Sequence, residues 1–160
     1  MRWNTSQASP MRRVHIAGNL DLTGGLAFGN FMGNSEIDGD VQSGLEWSSD
    51  SDSVPGQAQY YARDSVVGSW TGHAANLVFS GVTGAPVTQF SPGATTTLAT
   101  TPVSRDAPFL FLSGGLYEVF VPNARLNASG TNWGSNKLGR RHSSDYRFLP
   151  REAGRYGVYY

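Results

Sequence analysis

The chain has 160 residues, with twelve basic and twelve acidic side chains, a single lysine and no cysteine. It is long enough for one domain with a buried core. The missing cysteine excludes disulfides, thiolate metal sites and cysteine nucleophiles, the balanced charge supplies no overall field for nucleic acid or an anionic membrane, and no apolar run approaches the 18 residues of a membrane span.

From the N-terminus, Met1-Arg2-Trp3-Asn4-Thr5-Ser6 leads into polar residues instead of the apolar core of a signal peptide. A secreted protein with this sequence is expected to carry its export signal upstream. Glycine accounts for 20 residues, and short alternating runs bounded by Gly, Asn, Asp and Ser predict many short strands. In Met11 to Leu22 the alternation puts Val14, Ile16, Leu20 and Leu22 on one face and His15, Asn19 and Asp21 on the other. In Ser35 to Val41 it separates Ile37 and Val41 from Glu36, Asp38 and Asp40.

A phrase recurs: Ile16-Ala17-Gly18-Asn19-Leu20, Ile37-Asp38-Gly39-Asp40-Val41 and Val66-Val67-Gly68-Ser69-Trp70, with a weaker echo at Phe79-Ser80-Gly81-Val82. The first glycine steps, 21 and 29 residues, have the length of one coil of a stacked-repeat fold. The expected fold is therefore all-β, a parallel solenoid in which each coil buries its apolar edge on the next. With the glycines aligned, Asp40 lies between Asn19 and Ser69 in a polar stripe.

Two connections interrupt the coils. Gly44 to Gln57 contains the polar run Ser48 to Ser53 and ends at Pro55-Gly56, whereas Gly84 to Pro102, with Pro86, Pro92 and Pro102, reads as an extended exit from the stack. Phe109 to Leu112 and Leu116 to Val121, joined by Ser113-Gly114-Gly115, predict a β-hairpin. From Gly134 onward six basic residues (Lys137, Arg140, Arg141, Arg147, Arg151, Arg155) face two acidic ones (Asp145, Glu152), which leaves a mildly acidic body. The expected organisation is a β-helical domain with its hairpin over residues 3–133 and a basic tail over 134–160.

Several residues are candidates for glycan contact. Glu36, Asp38 and Asp40 place three carboxylates on one strand face, with same-face neighbours about 6.5–7 Å apart, near the separation at which a carboxylate pair activates water in sugar hydrolysis. The competing reading is that these acids serve solubility and block edge pairing. Asp64 either pairs with Arg63 or ends a sugar subsite. Tyr60 and Tyr61 point to opposite faces, so one of them offers a flat ring to a sugar; Trp70, at the apolar position of its repeat, belongs to the core. Asp50 and Asp52 lack the glycine and distal glutamate of a calcium loop, and His15, His73 and His142 show no metal-ligand spacing. No metal and no cofactor is expected, and Ser104-Arg105-Asp106 lacks the glycine elbow of a serine nucleophile.

A longer ordered set of motifs carries a resemblance. Trp3, Ser6-Gln7-Ala8, Pro10 to His15, Gly18-Asn19-Leu20, Ala62 to Ser65, Gly68-Ser69-Trp70, Val78 to Val82 and Gly84-Ala85-Pro86, then Thr95 to Arg105, Pro108-Phe109-Leu110, Tyr117, Val119 to Pro122, Arg125 and Gly130 to Trp133 are similar to the large secreted bacterial β-helix proteins. Their order resembles the first β-helical part of the α-1,3-glucanase and mycodextranase group, glycoside hydrolase family 87, and its pectate-lyase-like relatives. The resemblance implies a right-handed parallel β-helix belonging to a much longer extracellular enzyme, with the catalytic aspartates on a following β-helical part and none matched here. It implies that this chain is a non-catalytic portion of an α-glucan-degrading glycoside hydrolase. A polysaccharide-binding module without catalysis and part of a polysaccharide lyase are the alternatives; the acidic body and scarce lysine stand against the lyase. The expected partners are polysaccharide and the following catalytic domain, with no nucleic acid and no membrane. After Trp133 the sequence Asn136 to His142 departs from the pattern, as a fragment or a shifted reading frame would.

Overall fold

The computed structural model describes residues 1–3, 10–23, 29–44, 59–72, 74–90, 94–113, 116–132 and 146–148. Trp47, Asp50, Asp52, His73, Trp133, His142 and all of the basic tail except 146–148 lie outside them.

The described residues form an all-β structure whose main sheets are parallel. The first sheet contains β1 (Met11–Arg12), β4 (Gly29–Gly33), β6 (Gln59–Arg63), β8 (Asn76–Ser80) and β9 (Ala94–Leu98), paired in that order. The second contains β2 (His15–Ile16) and β3 (Leu20–Asp21), both paired with β5 (Glu36–Ser43), and β7 (Val66–Gly72) on the other side of β5. The chain thus alternates between two sheets, and each passage, or rung, lies beside the one before it.

Register is held by side chains of like character. Met11, Met32, Ala62 and Phe79 are successive partners across the first sheet. Ile16, Ile37 and Val67 are partners in the second, as are Leu20, Val41 and Trp70. All of these residues are buried in one core. Each large apolar side chain removed from water contributes about 1.5–3 kcal/mol, and a one-residue slip would turn the whole set outward. Trp70 is core, as expected: its ring meets Phe79 edge-on at 4.9 Å and its indole N–H donates to Ser43.

The turn from the first sheet to the second has a repeated geometry. Arg13, Asn34, Asp64 and Gly81 occupy equivalent corners with φ of 54°, 49°, 49° and 61°. Their backbone N–H groups donate to Gly33, Arg63, Ser80 and Leu98 of the next rung. Left-handed backbone costs an ordinary residue roughly 1 kcal/mol or more, and Gly, Asn and Asp tolerate it best. Just beyond the corner, Ser35 and Ser65 receive the Val14 and Ser35 backbone N–H groups and donate back to Gly33 and Arg63 carbonyls. Buried backbone at the turn is satisfied in this way.

This corner corrects one element of the sequence reading. Gly81 is equivalent to Arg13, Asn34 and Asp64, whereas Gly39 and Gly68 lie in β5 and β7 of the second sheet and Gly18 between β2 and β3, so the fourth phrase is no repeat of the other three. A second correction concerns Gly84 to Pro102. Ala94–Leu98 pairs along its length with β8 and extends the first sheet instead of leaving it.

The hairpin forms as expected from β11 (Phe109–Ser113) and β12 (Leu116–Pro122), which are antiparallel with Ser113 opposite Leu116. Two further antiparallel pairings were not foreseen. They join β10 (Thr101–Ser104) to β13 (Arg125–Ala128), and β14 (Tyr146–Phe148), from the tail, to β12.

Candidate functional site

On the outer face of the second sheet, the aligned glycines produce the expected polar stripe. Asn19 Oδ1 accepts the Asp40 backbone N–H at 3.0 Å, and Asp40 accepts the Ser69 hydroxyl at 2.7 Å and the Thr71 hydroxyl at 2.6 Å on its two oxygens. Glycine is needed here for a steric reason. A Cβ at Gly39 would occupy the position of the Asn19 side chain, and one at Gly68 would stand 2.6 Å from the Asp38 carbonyl oxygen.

The three carboxylates of β5 do not form an even row. Between Ile37 and Asp40 the strand holds one residue more than β7 opposite, and such a bulge re-aims the side chains it carries. Asp40 joins the hydroxyl ladder. Glu36 lies opposite His15 in the register, and His15 Nε2 is 3.1 Å from Asp38 Oδ1. The donor atoms of His15, Glu36 and Asp38 all lie within 4.8 Å of one another. Reading each residue alone left His15 isolated; its position three before Gly18, matching Glu36 three before Gly39, was the signal that joins them.

A different surface carries the aromatics. Phe31, Tyr61 and Val78 are register partners on the outer face of the first sheet. The Phe31 and Tyr61 rings are 5.5 Å apart and tilted by 57°. A Cβ at Gly33 would come within 2.7 Å of the Phe31 ring, so the ring lies over this glycine. The Arg12 guanidinium stands 4.3 Å from its centroid and that of Arg63 5.9 Å. Tyr61 is 39% exposed and Tyr60 only 4%, which settles which of the adjacent tyrosines offers a face. Tyr60 packs against Trp70 and donates to the Leu22 carbonyl at 3.4 Å; burial raises its pKa above the ordinary 10.0. The outer faces of the two sheets are backed by one shared core, so Tyr61 and the Glu36, Asp38 and Asp40 strand do not converge on one groove.

Asp64 is 3% exposed and sits 3.5 Å from the Arg63 Nε. Of its two sequence readings, the structure shows the ion pair, and in a buried setting. It belongs to a polar cluster at the corners that sequence reasoning missed. Asp106 accepts from Asn34 at 2.5 Å and from Arg63 at 3.4 Å and lies 3.6 Å from Arg13. Asn132 accepts from Arg13 and Asn34 and donates its backbone N–H to Asn34 at 2.8 Å. The partners are far apart in sequence, and no motif marks them. Near the first rung, the Asp21 carboxylate is held below the ordinary 3.8 by the Thr23 hydroxyl and Thr23 backbone N–H, with Arg2 adding a weaker pull.

The C-terminal strands show apolar side chains to solvent at paired positions. Val103 and Leu126 are direct partners, as are Leu110 and Val119, and all four are exposed.

No family model matches the chain. It is 47% identical over 137 residues to an exo-β-1,3-glucanase from Streptomyces sp. (strain SirexAA-E / ActE), an alignment that covers 84% of this chain and 21% of that enzyme. It also superposes on the solved structure of sacteLam55A from Streptomyces sp. SirexAA-E with a TM-score of 0.68 at 44% identity, over 85% of this chain and 23% of the other. A variant of the same enzyme in complex with glucose gives a TM-score of 0.67 at 45% identity, over 83% and 23%. The chain thus spans about a fifth of the length of the curated relative it matches. These comparisons place it beside part of a carbohydrate-active glycoside hydrolase. They correct the resemblance to the α-1,3-glucanase group, because the matched enzyme is named for a β-1,3-glucan. Alternating strands and periodic glycines report stacked rungs and carry no information on glycosidic linkage, so these motifs do not distinguish relatives named for an α-glucan from those named for a β-glucan.

Proposed function

We propose that this chain is a β-helical part of a secreted, polysaccharide-degrading glycoside hydrolase acting on β-1,3-glucan. In this reading the rungs wind as a right-handed parallel β-helix and the chain supplies scaffold and a glycan-contact surface, while the catalytic groups lie elsewhere in a longer parent. The observation that carries it is the 47% identity to an exo-β-1,3-glucanase along 84% of the chain. The exposed pairs Val103–Leu126 and Leu110–Val119 support it too, as a surface for further polypeptide of the parent to cover.

The glycan contact is assigned to the Phe31–Tyr61 platform. An exposed ring gives a sugar its apolar face, and Arg12 beside it supplies hydrogen-bond donors. Affinity electrophoresis in gels containing soluble β-1,3-glucan or dextran tests the assignment. Retardation confined to the β-1,3-glucan gel is expected, without release of reducing sugar by this chain alone. Equal mobility in the two gels removes the glycan-contact role, and release of reducing sugar removes the non-catalytic one.

A further inference from the structure

We propose that His15, Glu36 and Asp38 form a divalent-cation site joining the first two rungs of the second sheet. The site is independent of the glucanase reading. His15 and Glu36 are register partners on adjacent parallel strands, so their side chains leave the same face side by side. Asp38 follows on that face, with its Oδ1 3.1 Å from His15 Nε2.

The chemistry of the donors is that of a metal site. One imidazole nitrogen and two carboxylates lie within 4.8 Å of one another. The 3.1 Å between His15 Nε2 and Asp38 Oδ1 already equals the spacing of two ligands that each stand roughly 2.0–2.2 Å from one ion. Glu36, half-buried, supplies the third donor, within 4.8 Å of the other two. Asp40, the third carboxylate of the strand, is excluded because both its oxygens accept hydroxyls of the next rung. An N,O,O donor set at an accessible surface suits zinc, manganese or cobalt better than calcium, with water completing the coordination. Binding would clamp β2, a strand of two residues, to β5 and stabilise the folded chain by mass action.

The test is calorimetric titration of the chain with zinc chloride and, separately, with calcium chloride, together with NMR of the histidine rings. Expected are saturable zinc binding of one ion per chain, a zinc-dependent shift of the His15 ring resonances and weaker or absent calcium binding. His15→Ala, and separately the double variant Glu36→Gln and Asp38→Asn, should weaken zinc by about tenfold or more. His73→Ala and His142→Ala should leave it unchanged. Circular dichroism of each variant distinguishes a lost site from a lost fold, with the Glu36→Gln and Asp38→Asn variant preserving side-chain shape where His15→Ala does not. Absence of saturable zinc binding, or zinc affinity in folded His15→Ala equal to that of the parent chain, overturns the proposal.

Discussion

The Asn34 side-chain amide donates to the Asp106 carboxylate 2.5 Å away, and so ties a left-handed corner of the parallel rungs to the segment leading into the C-terminal hairpin. Arg13 and Arg63, from the rungs on either side, face the same carboxylate. Four segments distant in sequence are held through one acidic group.

Substitution at this junction should be among the most destabilising in the chain. Asn34→Ala loses the hydrogen bonds to Asp106 and Asn132 and places a less tolerant residue at φ 49°, at a cost of about 3 kcal/mol. Asn34→Gly, which accepts that backbone, should cost less. Asp106→Asn removes the carboxylate that Arg13 and Arg63 share in a mostly buried setting, while Arg63 keeps its pair with Asp64, at a cost of about 3 kcal/mol. Urea unfolding midpoints measure all three, and an Asp106→Asn midpoint equal to wild type would show that the cluster contributes no net stability.

The aligned glycines should respond unequally to a methyl group. Nothing lies within 4 Å of a Cβ at Gly18, whereas at Gly68 it would press on the Asp38 and Gly39 carbonyl oxygens at 2.6 and 2.8 Å. Gly18→Ala is therefore expected to be nearly neutral and Gly68→Ala to cost roughly 1–3 kcal/mol. Thermal melts of the two variants side by side check the contrast.

Adjacent tyrosines should separate binding from stability. Tyr61→Ala is expected to abolish retardation by β-1,3-glucan and leave the unfolding midpoint almost unchanged. Tyr60→Ala empties part of the core beside Trp70 and should cost about 3–5 kcal/mol. Unaltered glucan retardation in Tyr61→Ala would move the contact off this ring.

Burial of Tyr60 also fixes an alkaline limb of the stability profile. Its folded pKa is raised above the ordinary 10.0, so the neutral phenol is favoured in the folded state. The stabilisation is complete below pH 10 and is lost as pH rises through the folded value, where the unfolded chain ionises first. Tyr60→Phe should flatten that part of the profile, measured by denaturant unfolding across alkaline pH.

At the acid end the sign reverses. The Asp21 pKa is lowered from 3.8, chiefly by the Thr23 hydroxyl, so its stabilisation is present above pH 3.8 and fades as pH falls through the lowered value. Thr23→Val should reduce the slope of stability against pH in this window; an unchanged slope would show that the hydroxyl bond does not persist in solution.

Period-two alternation determined the strands and their buried faces, because each such rule is local to a few residues. Ile16, Ile37 and Val41 point inward as their positions predict, and the two strands of the predicted hairpin pair from Phe109–Phe120 to Ser113–Leu116. The Gly18, Gly39 and Gly68 alignment carried further, to the Asn19–Asp40–Ser69 stripe, since a Cβ at the second or third position would collide with the neighbouring rung. What the tertiary structure decided depends on how rungs of unequal length meet. An extra residue in β5 splits Asp40 from Glu36 and Asp38; the shared core sets Tyr61 on a different sheet face from all three; and Asn34 finds Asp106 only because the C-terminal strands fold back over the corners. No local pattern encodes contacts of that kind, which arise from register and from the path of the intervening chain.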